Sequence, residues 1–247
     1  MNKKYLFLTA LILMFTVACN KTEIENKEVN LTDAKIRIYK NKIEQDPGNY
    51  RNYDNLCAYY FQKARETGNK DYYKLADQAI SKSLEINPDN YIGIVLFAKL
   101  RLANHEFEQA LLYAKRALKL KPNSSSSYGI LGDAYLELHQ ISNAEKAYKK
   151  MVELNPSLDS YGRMSNLMHH KHNHEKAILF MELAYDAGLK KSSTPKENLA
   201  WTQVMLGEFY LESGKTTLAK NYFKNALELY EGYYLAERHL KEVSKLM

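Results

Sequence analysis

The sequence predicts an all-α fold made by stacking about five helix-turn-helix repeats, with a flanking half-repeat before them and a capping helix after them. Three observations carry this. Pro88, Pro122 and Pro156 fall 34 residues apart, the length of one helix pair with its turns. Each closes an apolar segment of the form A-x3-[AIY]-x2-[ASM], the 3.6-residue stripe of an amphipathic helix. Small residues, Gly132 and Ala144, stand where two helix axes must approach to about 8–10 Å. A lone helix pair cannot bury its apolar face, so stacked pairs share one continuous core and present an extended surface. Binding is expected before catalysis.

The elements follow in order. Ile36, Tyr39 and Ile43 form a helical stripe ahead of Pro47 and read as a lone second helix. Tyr53, Leu56, Cys57 and Tyr60 start the next pair, and Ala76, Ile80 and Ser83 complete it. Pro47 precedes Pro88 by 41 residues, and the seven extra residues are placed in a long turn around Thr67, Gly68, Asn69 and Lys70. Ile94, Phe97 and Ala98 are followed by Ala110, Ala114 and Ala117; Leu131 and Tyr135 by Ala144, Tyr148, Met151 and Val152. Tyr161, Met164, Ser165 and Met168 pair with Ala177, Met181 and Ala184. Pro195 reads as the first helical position behind an N-cap at Thr194. Leu206, Gly207 and Tyr210 then pair with Ala219, Phe223 and Ala226, with Gly214 ending the first helix at φ > 0. The charged amphipathic segment 233–247 suits a cap.

Tyr128, Leu131, Gly132, Tyr135, Ala144, Tyr148 and Pro156 fit the pattern W-x2-L-G-x2-Y…A-x3-F…P, and the chain resembles the tetratricopeptide repeat over residues 31–247. Arg101 departs from it where an aromatic residue is expected. The resemblance implies a right-handed α-solenoid whose first helices line a concave face that holds an extended peptide or a helix of a partner protein. Carried over residue by residue, that face is Asp54, Asn55, Ala58 and Phe61; Val95 and Lys99; Gly129, Asp133 and Leu136; Arg163 and Asn166; Trp201, Met205 and Glu208. Lys99 alone does not make the Lys/Asn clamp with which cytosolic members hold a chaperone's C-terminal carboxylate. Trp201, the sole tryptophan, is open to two readings: an anchor for the partner, or packing against the preceding second helix.

The N-terminus reads as an address. Lys3 and Lys4 precede an uncharged, largely apolar run from Tyr5 to Ala18, long enough for a secretory signal and short of the ~20 residues of a membrane span. Thr16-Val17-Ala18-Cys19 resembles a bacterial lipobox, with Thr16 in place of the usual Leu. The expectation is a signal peptide over 1–18, lipidation of Cys19 by acyl chains such as palmitate, a polar tether over 19–30 and a repeat domain over 31–247. An ordinary cleaved signal is the alternative. With Asn20, not Asp, after the cysteine, the sorting rule of such lipoproteins implies an outer-membrane protein facing the periplasm. Its partners would be other envelope proteins or peptides on the concave face and the membrane through the lipid, and a homodimer through the ends is compatible with the same pattern.

Other chemistries fit poorly. The 35 basic and 29 acidic residues are interspersed, so net charge does not point to nucleic acid, and Tyr53, Tyr60, Tyr128, Tyr135, Tyr148 and Tyr210 take packing positions of the repeat. Gly214-Lys215-Thr216 lacks the first glycine of a phosphate loop, since Phe209 stands there. His105-Glu106 and His174-Glu175 do not continue to a second histidine four residues on. No nucleophile with its base stands out, and neither an enzyme nor a cofactor is expected. The run His169, His170, His172, His174 falls at an inter-helix turn where polar residues are normal, and a solvated turn is the expectation. The same four imidazoles are the candidates if the protein instead binds a metal or small ligand.

Overall fold

The computed structural model describes residues 31–245, and among them every regular element is a helix. After α1 over 31–45 come α2 (Tyr50–Thr67), α3 (Asp71–Ile86), α4 (Tyr91–Ala103), α5 (Phe107–Leu120), α6 (Ser125–Glu137) and α7 (Ile141–Leu154). The chain continues through α8 (Leu158–His170), α9 (His174–Lys190), α10 (Lys196–Glu212), α11 (Thr216–Leu229) and α12 (Tyr234–Ser244). The expected signal peptide over 1–18, Cys19 and the 19–30 tether lie outside the described residues. Packing divides the chain into two units, one ending at Leu100 and one beginning at Arg101, in the last turn of α4.

In the first unit Ile36 of α1 joins Leu56, Cys57 and Tyr60 of α2 and Ala76, Ala79 and Ile80 of α3 in one core, with Leu100 from α4. The ring of Tyr39 stacks on that of Tyr59 at 5.6 Å. The long turn expected around Thr67 to Lys70 is absent; only 68–70 separate the helices. The extra residues lengthen the helices instead: α2 has 18 residues against 13 in α6, and α3 has 16 against 14 in α7. The reason is packing. Ala64 and Lys63 are buried in the added turns, and Lys63 Nζ reaches Asp33 Oδ2 of α1 at 2.8 Å, so helix continues as long as it has α1 to cover it.

The second unit holds the pairs α6/α7, α8/α9 and α10/α11, followed by α12. Leu136, Tyr148, Leu167, Met181 and Phe209 lie in one core cluster, and Val204, Phe223, Ala226, Ala236 and Val243 in another. At Gly132 and Gly207 the partner helix packs its ring against the glycine: a Cβ at either would strike the ring of Tyr148 or Phe223. Arg101, lacking the expected aromatic ring, is buried and spans its turn with Nη1 3.0 and 2.9 Å from the two carboxylate oxygens of Glu106. Pro195 is not the first helical position. It is itself the N-cap (φ −59°, ψ 138°), and its carbonyl accepts from the Asn198 and Leu199 amides.

One local device recurs between first and second helices. His105, His139, His172 and Gly214 have φ of 60°, 57°, 55° and 73°. In each turn this left-handed residue donates its N–H to a carbonyl three residues back and the following residue donates five back, as His139 N to Leu136 O (2.9 Å) and Gln140 N to Tyr135 O (2.8 Å). These bonds satisfy the carbonyls a helix end leaves orphaned and fold the chain back onto itself.

Candidate functional site

The second unit contains a hollow of about 340 Å³ built from three first helices, α6, α8 and α10. Helix α8 supplies Asp159, Gly162, Arg163 and Asn166, spaced by three and four residues along one face. Helix α10 supplies Trp201 and Met205, one turn apart, and α6 supplies Asp133; Leu158 and Met181 complete the wall. Gly162 borders the indole, and a Cβ there would sit 3.5 Å from the Trp201 ring, in ordinary contact. The half-buried Trp201 and Met205 form an apolar shelf beside a polar wall.

Arg163 organises that wall. Its Nε and Nη2 approach Asp133 Oδ1 and Oδ2 at 2.9 and 3.0 Å in a bidentate pair, and Nη1 donates to Asp159. Burial opposes the guanidinium charge, but the two carboxylates outweigh it and hold Arg163 firmly protonated. Asp133 Oδ1 also accepts from Tyr148 Oη at 2.8 Å; burial, and then the charge of Asp133, pushes that phenol far up. Asp133 is thus committed to the protein, and the wall's local charge is one negative in excess. Asn166 is exposed at the rim and offers both a donor and an acceptor.

The other residues carried over to this face have different fates. Asp54 is buried at 6% exposure and accepts from Ser83 Oγ (2.6 Å) and Asn90 Nδ2 (2.7 Å), so it joins helices and is not offered to a partner. Leu136 is buried in the core, and Phe61 packs edge-on against Tyr73. Glu208 Oε1 lies 2.8 Å from His239 Nε2 of the capping helix α12. Lys99 and Asn55 are exposed; the Asn55 amide donates to Arg51 O at 2.7 Å. Cys57 is fully buried, and burial with the nearby Asp54 charge pushes its thiol up to about 12, which leaves it an inert small hydrophobe.

The four histidines of the 169–174 run separate. His170 and His172 are exposed, with His172 spent on the turn. His169 and His174 face each other and meet Glu212, from the end of α10, which sequence reading did not connect to them. Only the fold shows that link, because Glu212 is 43 residues from His169.

Repeated helix pairs with a hollow on their first-helix face define a helical-repeat binding scaffold. Residues 58–90, 125–158 and 202–233 match the family described as tetratricopeptide repeat, and the fold is that of a helical-repeat solenoid. The chain is 36% identical over 81 residues to superkiller complex protein 3 from Homo sapiens, covering 32% of this chain and 5% of that protein. It is 28% identical over 120 residues to a UDP-N-acetylglucosamine–peptide N-acetylglucosaminyltransferase from Giardia intestinalis, covering 48% of this chain and 8% of the enzyme. The chain therefore spans less than a tenth of either curated relative. A chain in the crystal structure of the APC/C hetero-tetramer Cut9–Hcn1 superposes with a TM-score of 0.71 at 18% identity, over 86% of this chain and 39% of that one.

Proposed function

We propose that the protein is a non-catalytic adaptor that captures an extended peptide or helical segment of a partner protein on the α6/α8/α10 face, while lipid on Cys19 holds it to a bacterial envelope membrane. The observation that carries the reading is the hollow itself, in which an apolar shelf of Trp201 and Met205 stands beside Asn166. An apolar side chain of the partner seats on the shelf, and Asn166 pairs with the partner's main chain. The excess negative charge of the Asp133–Arg163–Asp159 wall favours a neutral or basic segment. The lipobox resemblance at Thr16 to Cys19 supports the anchor. No described helix is long and apolar enough to cross a membrane.

The test is site-specific photocrosslinking from position 166 of the full-length protein in its native cells, with mass spectrometry of the adducts. One partner should crosslink from position 166, and Trp201→Ala should reduce its yield at least tenfold without lowering the amount of adaptor. Crosslinks unaffected by Trp201→Ala would overturn the choice of hollow. In the same cells Cys19→Ala should move the protein out of the membrane fraction; retention there would overturn the lipid anchor.

A further inference from the structure

We propose that His169, His174 and Glu212 form a binding site for a zinc-class divalent metal ion, independent of the partner hollow. The three side chains each bring one ligand atom, and all three atoms lie within 4.8 Å of one another. His169 Nε2 is 2.7 Å from Glu212 Oε2, and His174 Nδ1 is 3.8 Å from that same oxygen. Two imidazoles thus converge on one carboxylate, but only His169 lies at hydrogen-bond distance from it. His174 Nδ1 is shut off from solvent and has no hydrogen-bond partner. A metal ion between the three groups would give that nitrogen its missing partner.

The local architecture holds the ligands in place. His172 turns the chain at φ 55°, and Asn173 N donates to Met168 O at 2.9 Å, which folds His174 back beside His169. The two rings meet edge to face with centroids 5.8 Å apart, and His169 lies 5.0 Å from the Phe209 ring. The register shows that this pair is a departure. Counting from the left-handed residue of each turn, the positions of His169 and His174 hold Leu102 and Phe107 in one repeat and Leu136 and Ile141 in the next. Where those turns carry two apolar side chains, this one carries two imidazoles, and the adjacent helix end answers with a carboxylate.

The donor set defines the ion. Two nitrogens and one carboxylate oxygen suit zinc, with copper and nickel as competitors, and are too few and too soft for calcium or magnesium. Bond lengths of about 2.0–2.2 Å to zinc need only rotamer-scale adjustment of this cluster and leave a fourth, solvent-facing position for water. The ion would tie the α8/α9 turn to the end of α10.

The test uses the full-length chain without a histidine tag, titrated with zinc chloride against a chromophoric chelator, and with cobalt for its tetrahedral absorption. One equivalent of each metal is expected. Glu212→Gln, which keeps the shape of the side chain, and His174→Ala should each weaken zinc at least tenfold, while the double change His170→Ala, His172→Ala leaves it unchanged. Zinc should also raise the melting temperature of the native chain and not that of Glu212→Gln. Loss of binding on changing His170 and His172, or unaltered affinity in Glu212→Gln, would overturn the site.

Discussion

A histidine with φ near +57° strains its own backbone, and this chain repeats the choice at His105, His139 and His172, while Gly68, Gly214 and Gly232 take the same region at no steric cost. The left-handed conformation costs a Cβ-bearing residue about 1–2 kcal/mol, and glycine gives back roughly half of that through its freer unfolded state. His139→Gly should therefore stabilise the protein by about 0.5–1 kcal/mol, read as a higher urea midpoint; a lower midpoint would mean the imidazole makes a contact worth more than the strain. The turn at Gly214 was legible in the sequence because glycine announces positive φ. The three histidines carry no such signal, and only their intervals of 34 and 33 residues betrayed a shared role. The same limit hid Glu212, whose meaning depends on a neighbour distant along the chain. At Asp54 the family register led to the wrong surroundings: the position fits the first-helix face, but Ser83 and Asn90 enclose it.

Among elements, helix pairs were the most legible feature, since period and proline spacing report packing directly. Helix ends were less so, because whether α2 stops or runs on was decided by the cover α1 gives to Lys63 and Ala64. The α7/α8 junction offers an electrostatic test. Glu145 of α7 meets Lys171, just past α8, at 2.7 Å and Lys149 at 2.9 Å, and hydrogen bonds from these lysines lower its carboxyl to about 2. For an acid whose folded value lies below its unfolded one, the stabilisation is fully present above the unfolded value, near 4.5, and is lost as pH falls through about 2. The difference in urea midpoint between the native protein and Glu145→Gln should hence be constant from pH 7 to pH 5 and shrink steadily below that. A difference that persisted undiminished at pH 2 would show that the lysine pairs are not its source.

At the scale of the whole chain, stability is distributed. Repeat proteins sum the stabilities of their units and nearest-neighbour interfaces, so a defect is felt first where it is made. Each of the two units has its own buried cluster, centred on Cys57 and Ile80 in one and on residues such as Tyr148 and Phe209 in the other. The first also contains a buried polar knot, in which Ser83 Oγ donates to Asp54 at 2.6 Å and Asn90 Nδ2 lies 3.1 Å from that hydroxyl. Burial raises the Asp54 carboxyl above its ordinary value, and the bonds from Ser83 and Asn90 offset only part of this, so the charge depends on both donors. Ser83→Ala removes one donor, leaves that carboxylate under-solvated, and should cost about 1–3 kcal/mol. Hydrogen exchange resolves where the loss falls. Amides of α2 and α3 should lose protection by the full amount, while those of α8 to α11 keep theirs, because their cores share no residue with the knot. An equal loss throughout residues 31–245 would instead show the two units opening as one.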